Sequence, residues 1–296
     1  MNEILMHINY GEVKILNFGN KTIDDVCKMA ANIGFDGIEF RGKPPVELSD
    51  LSYDDYIDEI GRCKNKYGLK RIVVCLGTQP VFDCDKENMD KEIDKILFQA
   101  KKAYDVCKTD VFNTFAKPIV SPLSTAPKAS YEFHGSYAAT QEDWDKTVLI
   151  YQKLAKKLED CGLRFAFETH MNYIHDLPAP AKKLVDLINS PSVGINMDFG
   201  NVAYFPGYPD LEETIDLYGD KLFYTHLKNS NGVPEIGRRL PCALSEGEIN
   251  HRLYIRKLKE INFKGPIGIE APRPGDREWY ARCDYNYIKS IFEDLA

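Results

Sequence analysis

The stretches ANIGFDGIEF (residues 31–40) and KEINFKGPIGIE (residues 259–270) follow one plan: a helix end, a Gly or Asn, a tight turn, and a short apolar run with a glutamate at or next to its end. Helices stop where a residue can take up the left-handed conformation, and a short apolar β-rich run after such a stop reads as a strand. Each stretch therefore predicts a helix-to-strand joint. The alternation extends along the whole chain, with β-rich runs at 4–10 (ILMHINY), 37–40 (GIEF), 71–77 (RIVVCLG), 111–116 (VFNTFA), 164–170 (RFAFETH), 193–201 (VGINMDFGN), 222–228 (LFYTHLK) and 266–272 (PIGIEAP). Between them lie amphipathic segments such as DWDKTVLIYQKLAKKLEDCG (143–162) and HRLYIRKLKEIN (251–262), where apolar residues return at three and four.

Alternating strands and helices with short joints require a parallel sheet, and right-handed crossovers leave an open doubly wound sheet or a closed barrel. Eight units favour an α/β fold of the (β/α)8 TIM barrel type, in a single catalytic domain over residues 1–296. An open dinucleotide-binding sheet would carry G-x-G-x-x-G after an early strand, and none stands there.

With 44% hydrophobic and 28% charged residues the composition is that of a soluble globular protein, and no run is long enough to span a bilayer. The start, MNEILMHINYGEVKIL, lacks the basic and then apolar pattern of a secretion signal, so a cytoplasmic location is expected. A net charge of −7 without a Lys/Arg block opposes binding to nucleic acid. The eight cysteines are scattered and form no C-x-x-C, which fits reduced, mostly buried thiols rather than a disulfide framework or zinc ribbon.

The last four strands each end in a potential ligand: Glu168, Asp198, His226 and Glu270. Strand C-termini ring one mouth of a barrel, so groups far apart in sequence can meet at one ion. Three carboxylates and an imidazole are hard donors that suit Mn²⁺ best, with Mg²⁺, Co²⁺ and Zn²⁺ also compatible. One acid at a strand end often just caps the next helix. Here three follow apolar runs (FAFE, INMD, IGIE), and burying uncompensated charge there costs roughly several kcal/mol each. Either a shared metal or an ion-pair network with Lys228, Arg273 or another basic group must compensate them.

Segments 117–143 and 229–248 are longer than a barrel joint needs, and both follow strands, on the face where such loops build pockets. The first carries His134, either a solvated imidazole or an acid–base group acting on a phenol or hydroxyl. His170, Glu39, Lys228 and Arg273 are candidates for contacting substrate, as are Arg238 and Arg239; His175 and His251 read as helix-end or packing histidines.

The pieces GFDGIEF (34–40), FETH (167–170), MDFGN (197–201), THLKN (225–229), SEGEIN (245–250) and FKGPIGIEAP (263–272) together resemble the xylose isomerase-like family of sugar isomerases and epimerases, along the whole chain. The resemblance implies that Glu168, Asp198, His226 and Glu270 bind one metal. It also implies proton abstraction next to a carbonyl of a small sugar-like substrate, with Glu168 and Glu270 as base and acid. Ketose 3-epimerases of the family tend to have histidine where Asn201 stands, which weakens a ketose 3-epimerase assignment; Asn201 is a further candidate for contacting substrate. Six histidines are too few for the three-zinc endonuclease branch. Some relatives form the metal-bearing subunit of C-glycoside deglycosidases, so the alternative is a lyase that eliminates an aglycone with help from His134. The chain is accordingly expected as a homo-oligomer, or as a hetero-oligomer with a small partner subunit.

Overall fold

Four helices end on the same device. Gly34, Gly68, Gly162 and Asn262 have φ of 113°, 68°, 66° and 57°, the left-handed region in which a helix stops. The apolar residue that follows each, Phe35, Leu69, Leu163 or Phe263, returns its N–H to the carbonyl of Ala30, Lys64, Leu158 or Leu258 and is buried. The turn is thus tied to the helix it ends, and the next residues are delivered extended into the sheet. Two of these four joints are the pair that look alike in sequence. At their other ends, two helices start on capping boxes, Thr22 with Asp25 and Thr140 with Asp143, where side chain and backbone satisfy one another's donors.

The computed structural model describes residues 2–11, 21–44, 50–120, 133–205, 207–233 and 238–296. Its elements in chain order are β1 (Ile4–His7), α1 (Ile23–Ile33), β2 (Gly37–Arg41), α2 (Tyr53–Tyr67), β3 (Arg71–Gly77), α3 (Gln79–Asp83), α4 (Lys86–Cys107), β4 (Val111–Phe115), α5 (Gly135–Ala138), α6 (Gln141–Glu159), β5 (Arg164–Glu168), α7 (Pro178–Ile188), β6 (Val193–Asp198), α8 (Phe199–Val202), α9 (Leu211–Tyr218), β7 (Leu222–Leu227), β8 (Ser230–Val233), β9 (Arg238–Pro241), α10 (His251–Glu260), β10 (Ile267–Ile269) and α11 (Arg277–Asp294). Strands in the order β1-β10-β7-β6-β5-β4-β3-β2 close a parallel barrel, the (β/α)8 architecture expected. β8 and β9 form a separate antiparallel hairpin.

By contacts the chain divides into two compact units, Met1–Cys75 with Lys102–Thr109 and Thr225–Ala296, and Leu76–Lys101 with Asp110–Tyr224. β3 and β7 each contribute residues to both. In the first unit Phe35 packs on Tyr285 at 4.8 Å between ring centres. In the second, Tyr151 meets Phe167 at 4.4 Å and Phe112 meets Phe165 at 5.3 Å. β6 and β7 are buried at every position, which explains why they read as continuous apolar runs rather than as alternation.

Three expectations shift in detail. The run at 193–201 is strand only to Asp198, because the Asp198 carboxylate accepts from Asn201 N and starts the short helix α8. In 266–272 only Ile267–Ile269 pair as strand. Segment 229–248 contains the β8–β9 hairpin, and of segment 117–143 residues 121–132 lie outside the described part. Among the described residues no helix is long and apolar enough to cross a membrane, and all eight cysteines are free thiols.

Gly37 opens β2 where its partner strand comes closest: a Cβ there would stand 1.9 Å from the Arg71 carbonyl oxygen. Since backbone of a paired strand cannot withdraw as a flexible side chain can, Gly37→Ala should cost about 2–3 kcal/mol in urea unfolding. Wild-type stability in that variant would contradict the close approach.

Candidate metal centre

In the unit that holds β1, β2, β10 and the end of β7, the site begins with a histidine between two carboxylates. His226, near the end of β7, has Nε2 2.6 Å from Glu39 Oε2 on β2 and Nδ1 3.1 Å from Glu270 Oε2, just past β10. His226 and Glu39 are fully buried, and Glu270 is 9% exposed. An ionised carboxylate can only accept, so Glu39 takes the Nε2–H. Glu39 therefore orients an imidazole in this structure. Glu270 is further held by Asn9 Nδ2, which donates to Oε1 at 2.7 Å, and by Lys228 Nζ, 3.1 Å from Oε2. Arg41 in turn donates to Asn9 Oδ1 at 2.6 Å. His7 sits 3.9 Å from both Glu39 and Glu270, with its Nδ1 accepting from Asn9 N. Burial lowers the His7 pKa against the pull of Glu270 and Glu39. Burial alone would raise Glu270, but His7, Lys228 and His226 together hold it well below the usual carboxylate range.

In the unit that holds β4, β5 and β6, neutral amides surround the acid. Glu168 closes β5 and is 4% exposed. Asn113 Nδ2 donates to its Oε2 at 2.7 Å, and Asn201 Nδ2 donates to its Oε1 at 3.3 Å and to the Thr169 carbonyl at 3.0 Å. Asn196 Nδ2 donates to Asn113 Oδ1 at 3.1 Å. Asp198, fully buried, caps α8 through Oδ1, while Thr169 Oγ1 accepts from Asp198 N at 2.8 Å and donates to its carbonyl at 3.2 Å. His175 stitches the ends of β4 and β5: Nε2 accepts from Ala116 N at 3.1 Å and Nδ1 donates to the Glu168 carbonyl at 2.7 Å. Burial pushes His175 down to about 3, so the ring stays neutral and can play both parts.

Glu168, Asp198, His226 and Glu270 each offer a donor atom within 4.8 Å of the others, and all four are buried. Carboxylates so close and so shielded repel one another unless a cation neutralises them. Lys228 pairs with Glu270 at 3.1 Å. The donor set fits a hard divalent ion.

The remaining candidates from the sequence fall elsewhere. His134 is outside the gathered four; it is buried, bridges Val120, and precedes the short helix α5. His170 Nδ1 donates to the Met171 carbonyl at 2.9 Å, and the ring packs edge-on to Phe115 and Tyr173. Arg273 bonds the Ala271 and Cys242 carbonyls and pairs with Asp284 at 2.9 Å. The side chains of Arg238 and Arg239 lie outside the described part. His251 is buried, and burial pushes it down to about 3. Asn113, Asn196, Asn9 and His7 were not found by reading the sequence. The available signal was a polar residue inside an apolar strand run, as in VFNTF and GINMD.

The closed parallel barrel gathers acidic and imidazole donors at the ends of its strands, a set that could hold a metal ion. The chain belongs to the xylose isomerase-like TIM barrel family, whose model matches residues 27–291. It is 25% identical over 249 residues to the mannonate dehydratase of Oceanobacillus iheyensis, covering 75% of this chain and 67% of that one. The chain spans 52% and 67% of the lengths of the curated relatives it matches here. Among solved structures it resembles a xylose isomerase-like barrel protein from Mycobacterium smegmatis in complex with magnesium (19% identity, 98% and 96% coverage, TM-score 0.73). It also resembles the D-allulose 3-epimerase of Methylomonas sp. (17% identity, 98% of each chain, TM-score 0.70).

Asp176 supports the loop that carries His134, accepting from Ser136 N at 3.1 Å through Oδ2, while its buried Oδ1 has no hydrogen bond among the described residues. Burial raises this acid from 3.8 to about 6. Folding therefore favours the protonated form, a contribution complete below about pH 4 and lost as pH rises through 6. Asp176→Asn should match wild type near pH 4 and exceed it by about 1–3 kcal/mol at pH 8. A constant difference across that range in thermal unfolding would contradict this account.

Proposed function

We propose that this chain is a divalent-metal-dependent enzyme that removes a proton from the carbon beside a carbonyl of a sugar or sugar derivative, and that it acts as an isomerase or epimerase. The observation that carries this reading is the convergence of Glu168, Asp198, His226 and Glu270. A Mn²⁺ or Mg²⁺ ion held there would supply charge that stabilises the enediolate oxygens. Glu168, fixed by amide donors, removes the carbon-bound proton. Glu168 passes that proton to solvent, and Glu270 relays a solvent proton to the same or the neighbouring carbon, giving an epimer or an isomer. Lys228, beside Glu270, faces developing negative charge with a persistent cation. The likeness to a D-allulose 3-epimerase supports this choice of substrate class.

A second reading uses the same first step and ends in elimination: the carbanion expels a group from the adjacent carbon, and where the alkene so formed carries a hydroxyl, that enol ketonises by taking a solvent proton onto carbon. The match to a mannonate dehydratase favours it. In its C-glycoside form the leaving group is an aglycone, His134 protonates it, and a small partner subunit completes the enzyme. A cytoplasmic location suits both readings.

The two are separated by incubating the Mn²⁺-loaded protein in D₂O with a panel of ketohexoses and hexonates. Isomerase or epimerase action places deuterium on carbon in recovered and product sugar, whereas elimination yields a dehydrated keto product. Chelation should abolish either, and Glu168→Gln should lower kcat by about 10²–10⁴-fold. Turnover that survives exhaustive chelation would overturn both.

A further inference from the structure

We propose that Asn113 is a positioning residue for the metal centre: backed by Asn196, it fixes the plane in which the Glu168 carboxylate meets its cation. The inference rests on the proposed metal centre and goes one layer behind it. Asn113 lies in the middle of β4 at 1% exposure, and Asn196 lies in β6 at 0%. Neither side chain is needed to complete the barrel, whose ladder uses backbone groups, and an apolar residue would be the ordinary occupant of so buried a place.

The direction of the relay is fixed by chemistry. An ionised Glu168 only accepts, so the Asn113 amide must present Nδ2 to it, at 2.7 Å from Oε2. That leaves Asn113 Oδ1 facing away, where Asn196 Nδ2 donates to it at 3.1 Å. An aspartate at 113 would set two carboxylates against each other, and an aliphatic residue would strand both Glu168 and Asn196. Only a side chain that donates at one end and accepts at the other serves both neighbours. Asn201 holds the other Glu168 oxygen, so donors stand on both sides of the carboxylate and its rotation is arrested. A ligand locked in place loses less freedom when the ion arrives, and outer partners of this kind typically contribute about 10–100-fold in metal affinity.

The test uses Mn²⁺ alone, so it requires no knowledge of the substrate. Mn²⁺ is titrated calorimetrically into wild type, Asn113→Ala, Asn113→Leu and Asn196→Ala. Thr114→Val serves as the control for general loosening of β4, since Thr114 is equally buried but bonds the Leu76 carbonyl instead of a ligand. Asn113→Ala and Asn113→Leu should weaken Mn²⁺ binding at least about tenfold, and Asn196→Ala less, with Thr114→Val unchanged. The visible spectrum of the Co²⁺-loaded Asn113→Ala protein should shift from that of wild type, reporting an altered ligand field. Should the Asn113 variants fail to fold, loss of affinity in Asn196→Ala but not in Thr114→Val carries the same conclusion. Affinities within about twofold of wild type in folded Asn113 variants would overturn the proposal, as would equal losses in Thr114→Val; here about twofold is under 0.5 kcal/mol. Failure of wild type itself to bind Mn²⁺ would instead overturn the metal centre on which the inference rests.

Discussion

Charge brought out of water is the constraint on which the rest of this protein depends. Three carboxylates and an imidazole are held in a shielded cluster, each with a donor atom within 4.8 Å of the others. Left to themselves such groups would protonate or turn apart, since an isolated buried charge costs far more than any one contact returns. The fold instead surrounds each acid with donors and keeps the cluster together. That arrangement makes sense as a receptacle for a cation, and it sets what chemistry the mouth of the barrel can support.

The two acids assigned to proton transfer are held by different means. Glu270 has Lys228, Asn9 and His226 about it, a cationic and hydrogen-bonding environment that keeps it ionised in spite of burial. Glu168 has Asn113 and Asn201, which are neutral. Donors without net charge orient a carboxylate while stabilising its charge less than a cation does. Each acid thus meets a substrate in its own electrostatic setting, which suits a reaction whose two proton transfers are unlike.

Backbone economy supports both settings. Strand ends at the mouth would leave amides and carbonyls unpaired, and side chains from the following loops satisfy them: His175 spans Ala116 and Glu168, and Thr169 binds both backbone groups of Asp198. Because these bonds reach the residues that carry the donors, satisfying the chain and aiming the carboxylates are one task. His175, a packing residue by sequence, is a structural tie of this sort, with neutrality enforced by burial.

The alternation of apolar runs and amphipathic segments, with joints such as ANIGFDGIEF, carried the barrel, since strand, helix and helix-stop signals are local in the chain. The four donors were legible too, because a closed parallel barrel sends every strand end to the same face, so order along the chain predicts convergence. What surrounds the donors was not. Whether Glu39 meets a substrate or His226, whether Arg273 faces the mouth or Asp284, and that Asn113 and Asn196 pair at all depend on side-chain directions set by strands far apart in sequence. Distances of a few ångströms between such groups follow from packing and register, which no local pattern encodes, and so only the tertiary structure decided them.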